Sequence, residues 1–379
     1  MKNWKKFICG ILLTCFLSGC GSSMREGNGS AWSNAAGAVR IENQYYMVVD
    51  HTIYASDERD QRVMKVWCNK SKCSHSDEDE CPALIYQEFD SSLCTDGKYL
   101  YIAAENDSHT LCWYRYSLAE GAESKEEYAE IILLPEGMDC SMETFYHDGT
   151  AYFSLGLPDE GGNWSWKLYR QKLSGSKSGK AEAIYEPEAG THLENLSVYG
   201  KRVYGVEWKD KGRIFSVNPD GSKPETVLDQ VFPTSYILFD KQLYYTDKTS
   251  GIHCIDQDTG SERILREEIG PQAILSWDGK YLYADNFNAV RPIPGEEYDH
   301  GVRNFMGRFI YVMEQDGALK DKINMMYMGG VSWFGPGEEL FVNNGALNAF
   351  DKSRIGDPEN QLAEDEAHRR TWSQVPVGE

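Results

Sequence analysis

The chain predicts an all-β fold, a β-propeller of seven four-stranded blades, and three observations carry that expectation. A pattern of aromatic-rich strand, turn, strand, insert and further strand recurs along its length. Several of the turns hold Asp-Gly, and helical periodicity is almost absent. The clearest copies are 93–101, with Asp96-Gly97 at the turn, followed by 113–118, and 274–283, with Asp278-Gly279, followed by 308–313. Weaker copies pair 145–153 with 166–173, 196–204 with 213–217, and 237–245 with 252–256. At the two ends 46–54 pairs with 63–67, and 331–342 with 347–351. Seven units over 41–356 come to about 45 residues each, which suits one blade.

Each part of the unit has a physical reason. Asp-Gly accepts the positive φ that a tight hairpin demands, and alternating Tyr, Leu, Val and Ile suit a pleated, half-buried surface. One pair of hairpins cannot bury its own face, whereas a ring of them can. An array of β-sandwiches is the alternative, but it would not place the inserts consistently in the same half of each unit. The best helical stretches, 123–130 and 360–370, read instead as charged loop and tail. Residues 357–379 lie beyond the repeat and are expected to form a polar C-terminal tail.

The N-terminus carries an address. Lys2, Lys5 and Lys6 precede an apolar run over 7–16, broken only by Gly10 and Thr14, and Leu17-Ser18-Gly19-Cys20 follows. That run is too short to span a bilayer of about 30 Å, so 1–19 reads as a processed export signal. The Leu-Ser-Gly-Cys sequence resembles a bacterial lipobox. That resemblance implies cleavage before Cys20, lipidation of its thiol with palmitate-type chains, and an extracytoplasmic protein that meets the membrane through its lipid anchor only. An ordinary signal peptide followed by an incidental cysteine is the alternative. Residues 20–40, rich in Gly, Ser, Ala and Asn after the cysteine, read as a flexible tether, and 41–356 as the propeller.

Charge excludes one class of partner. With 38 Lys plus Arg against 59 Asp plus Glu, the net charge is -21, and loss of 1–19 removes three lysines and no acids, leaving about -24. Nucleic acid requires clustered cations, so it is not an expected partner. The 41% hydrophobic and 12% aromatic content still supplies a core.

Seven cysteines lie beyond Cys20: Cys68, Cys73, Cys81, Cys94, Cys112, Cys140 and Cys254. An odd number cannot all pair within one chain. Four candidate ligands, Cys68, Cys73, His75 and Cys81, fall in one loop beside the acids at 77–80. Three thiolates and an imidazole satisfy tetrahedral Zn²⁺, so a structural zinc is one reading; a Cys68–Cys81 disulfide, worth about 3 kcal/mol for such a loop, is another, and unmodified thiols are a third. Cys94 and Cys112 fall on two strands of one unit and could face each other, and buried free cysteine is an equal alternative. The other histidines, His51, His109, His147, His192, His253, His300 and His368, are scattered and read as surface or turn residues.

Tyr244-Tyr-Thr-Asp247 with Gly251-Ile-His-Cys-Ile-Asp256 resembles the repeats of TolB-like and YWTD-type propellers, and the whole chain is similar to a group of bacterial lipoproteins of unknown function built from such repeats. The resemblance supports architecture and implies no activity. Proteins of that group often carry a similar Cys/His cluster in the first blade.

Catalytic signatures are missing. There is no Gly-x-Ser-x-Gly elbow and no phosphate-binding loop, and carboxylates are too abundant for any pair to stand out. Asp256-Gln-Asp-Thr-Gly260 reads as a β-turn and not as a calcium loop. Trp113, Trp164, Trp166, Trp277, Trp333 and Trp372 could stack on sugars or cations, but packing between blades is the expectation. The function expected is therefore a non-enzymatic binding or assembly platform for a protein, peptide or glycan. The alternatives are a surface carbohydrate-active enzyme with its site in the propeller channel, or a metal-handling lipoprotein.

Overall fold

The computed structural model describes residues 38–57, 63–76, 81–85, 88–135, 137–159, 161–175, 178–209, 211–231, 233, 235–249, 251–269, 273–286, 309–325, 331–333, 337–343, 347–361, 372–374 and 377–378. The expected signal 1–19, Cys20, nearly all of the tether, the acids at 77–80, His300 and His368 lie outside the described residues.

Among the described residues seven sheets follow one another along the chain, six of four strands and one of five, each built on an antiparallel meander. Sheet 1 comprises Ala38–Ile41, Gln44–Val49, Thr52–Ser56 and Met64–Val66; sheet 2 comprises Glu88–Thr95, Tyr99–Glu105, Thr110–Ser117 and Glu126–Leu133. Sheet 3 comprises Ser141–His147, Thr150–Pro158, Trp164–Lys172 and Glu182–Tyr185; sheet 4 comprises His192–Tyr199, Arg202–Trp208, Gly212–Val217 and Glu225–Val231. Sheet 5 comprises Ser235–Phe239, Gln242–Thr246, Ile252–Asp256 and Glu262–Arg266; sheet 6 comprises Ile274–Trp277, Leu282–Asp285, Phe309–Met313 and Leu319–Asn324. Sheet 7 comprises Val331–Trp333, Glu339–Asn343, Leu347–Asp351 and Trp372–Gln374.

Each sheet buries its faces against its neighbours, which makes the arrangement a β-propeller. Leu93, Leu100 and Ile102 of sheet 2 pack on Tyr46, Val48 and Ile53 of sheet 1. The same relation joins sheets 2 and 3, 3 and 4, 4 and 5, 5 and 6, and 6 and 7. The ring closes where Phe341, Leu347 and Ala349 of sheet 7 meet Tyr45, Met47 and Met64 of sheet 1. First strands of successive sheets contact one another from sheet 1 to sheet 6, so they lie innermost. Side chains bond across these inner strands: Ser235 Oγ accepts from the Leu275 N–H at 3.0 Å, and Tyr236 donates its hydroxyl to the Asn195 carbonyl at 2.7 Å.

The structure amends four expectations. Six sheets have the expected four strands, but the first has five, because Val377–Gly378 pairs in parallel with Met64 and Lys65. The stretch 357–379 is accordingly not simply a tail. Trp372–Gln374 is the fourth strand of sheet 7, with Trp372 opposite Phe350 and only 4% exposed. Without these strands, two sheet edges would present unpaired backbone groups. Sheet 1 also starts inside the expected tether, at Ala38. Lastly, the stretch 123–130, expected as charged loop, is largely strand, since Glu126–Leu133 forms the outer edge of sheet 2. Among the described residues no helix is long and apolar enough to cross a membrane.

Candidate metal centre

The loop after the last four-strand meander position of sheet 1 gathers Cys68, Cys73, His75 and Cys81, whose ligand atoms all lie within 4.8 Å of one another. Its two ends are anchored separately. At the start, the Cys68 N–H donates to the Val66 carbonyl at 3.0 Å, and Asn69 reaches sheet 2, donating its N–H to the Gly121 carbonyl at 3.0 Å and its side-chain amide to the Glu120 carbonyl at 3.2 Å. At the end, 81–85 returns along sheet 1: the Ile53 N–H donates to the Ala83 carbonyl and the Ile85 N–H to the His51 carbonyl, both at 2.9 Å. Cys81, Ala83, Leu84 and Ile85 are buried in the seam between sheets 1 and 2, with Cys68 and Cys73 packed against them. Between these anchors the backbone turns sharply, with positive φ at Lys72 and His75.

The donor set suits a metal ion. Zinc–sulfur bonds of about 2.3 Å in a tetrahedron place sulfur atoms about 3.8 Å apart, so the cluster needs to contract by less than about 1 Å. His75 Nδ1 already stands 3.3 Å from Cys81 Sγ. Burial pushes the Cys81 thiol up to about 12 and raises Cys68, whereas the His75 backbone N–H lowers Cys73. Cys68, Cys73 and Cys81 are free cysteines in the structure. These four residues could together bind a metal ion, as their spacing in sequence suggested.

The remaining candidates separate. Cys94 and Cys112 are both buried free thiols on the first and third strands of sheet 2, and the second strand runs between them, pairing Cys94 with Tyr101 and Cys112 with Ala104. They do not face each other, and the other reading, buried free cysteine, is the one the structure shows. Cys112 is raised to about 12 by burial, as befits a packing residue. Among the described histidines, His51 and His109 sit in exposed turns, and His253 Nδ1 contacts Glu262 at 3.0 Å. Asp256 accepts from the Asp258 and Thr259 N–H groups, which makes 256–260 the expected turn. Trp113, Trp166 and Trp372 are buried between sheets, and Trp277 stacks on Phe239 at 4.1 Å.

One feature had no signal in the sequence. The first strand of sheet 4 bulges between Glu194 and Ser197, with Asn195 at φ 54°. Glu143, on the first strand of sheet 3, accepts from the Asn195 and Leu196 N–H groups at 2.6 and 3.1 Å, and burial pushes its carboxyl up to about 7. Glu194 accepts from the Trp208 indole N–H and is also raised by burial. Only a residue-by-residue register of two different sheets brings these carboxyls near each other.

No protein-family model and no curated protein matches the chain. Solved structures do. Prolyl oligopeptidase B from Galerina marginata is similar with a TM-score of 0.52 and 13% identity over 94% of this chain and 51% of the peptidase. A prolyl endopeptidase gives 0.54 and 11% over 86% of this chain and 50% of the other. The WD40 β-propeller domain of Doa1 gives 0.43 and 13% over 86% and 94%. The chain spans about half the length of the two peptidases, and at these identities the likeness is one of fold alone.

Proposed function

We propose that this chain is a lipid-anchored, extracytoplasmic β-propeller that serves as a binding or assembly platform. The five-stranded sheet counts as its seventh blade, and a structural zinc ion clips the first blade through Cys68, Cys73, His75 and Cys81. The observation that carries the platform reading is the use made of the inner carboxyls. Both oxygens of Glu143 are taken by backbone N–H groups and one oxygen of Glu194 by an indole, so this inner pair is used to support strand geometry. The anchor reading rests on the sequence: Lys2, Lys5 and Lys6, the apolar run over 7–16, and Leu17-Ser18-Gly19-Cys20. From Cys20 to Ala38 an extended tether would reach at most about 60 Å, which would hold the propeller clear of the lipid.

Incubation of the purified protein with panels of glycans, peptides and proteins tests the platform: retention of a ligand without product is expected, and turnover would overturn it. Metal analysis with thiol counting tests the clip. One zinc per chain is expected, and its removal by chelation should lower thermal stability. A metal-free protein that loses two thiols to a Cys68–Cys81 disulfide would sink this part. The lipid is tested by fatty-acid labelling, which a Cys20→Ser change should abolish.

A further inference from the structure

Among the described residues, Trp164 is the one aromatic side chain that stands out as an exposed large hydrophobic group, at 39%. It opens the third strand of sheet 3, opposite Pro158, after a turn in which Asp159 accepts from the Gly161 and Asn163 N–H groups at 2.8 Å each. Trp166 stacks beside it, with ring centroids 6.1 Å apart and planes at 27°. The cross-strand partner of Trp166 is Gly156, where a Cβ would lie 2.5 Å from the indole, so glycine is what lets the ring lie flat on the sheet. Trp166 also meets His192 of sheet 4 at 4.1 Å, and His192 Nδ1 lies 4.0 Å from Glu194 Oε2. The row Trp164, Trp166, His192, Glu194 thus crosses the seam between sheets 3 and 4, at the end of the ring where first strands begin.

Its chemistry selects among ligands. A rigid indole face with hydrogen-bonding groups beside it fits a pyranose ring, whose C–H face stacks while its hydroxyls find acceptors and donors. A quaternary cation instead wants enclosure by several aromatic faces and a fully charged carboxylate. Here a single indole is open, and Glu194 already holds the Trp208 N–H and is raised by burial. Burial also lowers His192, which favours a neutral imidazole able both to donate and to accept. Asp159, Glu188 and Glu194 along this edge oppose an anionic sugar, although Lys209 offsets Glu188 at 3.3 Å.

We propose that this row is a saccharide-binding ledge, on which Trp164 stacks against an uncharged pyranose while His192 and Glu194 take its hydroxyls. It names the ligand class for the platform and rests on that reading. The mature protein in detergent is titrated with cellotriose, maltotriose and the N-acetylglucosamine trisaccharide, with choline as the cationic probe, by calorimetry and tryptophan fluorescence. At least one trisaccharide should bind, Trp164→Ala should weaken it by about tenfold or more, and Trp164→Tyr should restore most of the loss. Because Trp164 also stacks on Trp166, the unfolding midpoint of each variant is measured alongside, and Trp164→Ala is scored only at temperatures where it is fully folded. The ledge is overturned if no trisaccharide binds at about 10 mM, if Trp164→Ala binds equally well, or if choline binds in a Trp164-dependent way and the sugars do not. Cleavage of a bound trisaccharide would sink the non-catalytic platform and leave the ledge standing. Peptide binding that ignores Trp164, with no sugar bound, would do the reverse.

Discussion

Sheets 2 and 6 join their first two strands through the same sequence, Asp-Gly-Lys-Tyr-Leu-Tyr, and comparing the two separates what a turn makes for itself from what its neighbour adds. In each, one carboxylate oxygen accepts two backbone N–H groups: Lys98 and Tyr99 for Asp96, Lys280 and Tyr281 for Asp278, at 2.8–2.9 Å. In each, the other oxygen accepts a tyrosine hydroxyl, from Tyr101 at 3.0 Å or Tyr283 at 2.6 Å. In each, only the glycine has positive φ, 82° at Gly97 and 93° at Gly279. The aspartate is therefore an acceptor that caps the turn and not, as expected from the sequence, a residue in the left-handed region. What differs comes from the next sheet. Sheet 3 supplies a neutral partner, the Leu173 carbonyl, which accepts from Tyr101 at 3.1 Å. Sheet 7 supplies a cation, Lys352, whose Nζ donates to Asp278 at 2.7 Å with both side chains less than a tenth exposed. A shared carboxylate cap thus stays without a counter-ion in one sheet and becomes half of a buried ion pair in the other.

Breaking that pair should have the largest effect. Lys352→Met leaves the Asp278 charge buried without its counter-ion and should cost about 3–5 kcal/mol in urea unfolding. Adding Asp278→Asn to Lys352→Met should recover part of this, because the uncompensated charge goes; a double variant less stable than Lys352→Met would refute the ion-pair account. Asp96→Asn should cost less, about 1–2 kcal/mol, since its carboxylate bonds only uncharged N–H and O–H donors and no counter-ion is left buried without its partner. The smallest contrast sharpens the comparison by being absent. A Cβ at Gly97 or Gly279 meets nothing within 4 Å, so alanine at either position should cost about 1–2 kcal/mol through φ alone, equally in both sheets. Unequal costs would mean that the neighbour shapes the turn as well as its partners.

The same division runs through the rest of the molecule. Strand positions and turns were largely legible, because a period of two and an Asp-x-Lys-Tyr cap are properties of adjacent residues. Cys68, Cys73, His75 and Cys81 were legible as a set because they lie in one loop, yet their approach to within 4.8 Å depends on anchors in sheets 1 and 2. Trp164 and Trp166 looked alike in sequence, two apart on one strand. Trp166 turned out buried at 8% and Trp164 exposed at 39%, since Gly156 and His192 take up the first and nothing covers the second to that extent. The strand at 372–374 was missed because its partner, Leu347–Asp351, is separated from it by more than a strand-and-turn unit.

By itself the sequence determined an all-β chain of repeated aromatic strands, a Cys/His loop in the first unit and an acidic surface. Those features follow from alternation, turn chemistry and composition, each settled within a few residues. Closure of the ring, the fifth strand of sheet 1, the burial of Lys352 and the pairing of Glu143 with the bulge at Asn195 were decided only by the tertiary structure. Met64 meets Val377, and Tyr45 accepts the Glu339 N–H from 294 residues away. Contacts that distant form because seven sheets must bury both faces and leave as little edge as they can, a condition set by the whole ring and written in no single repeat.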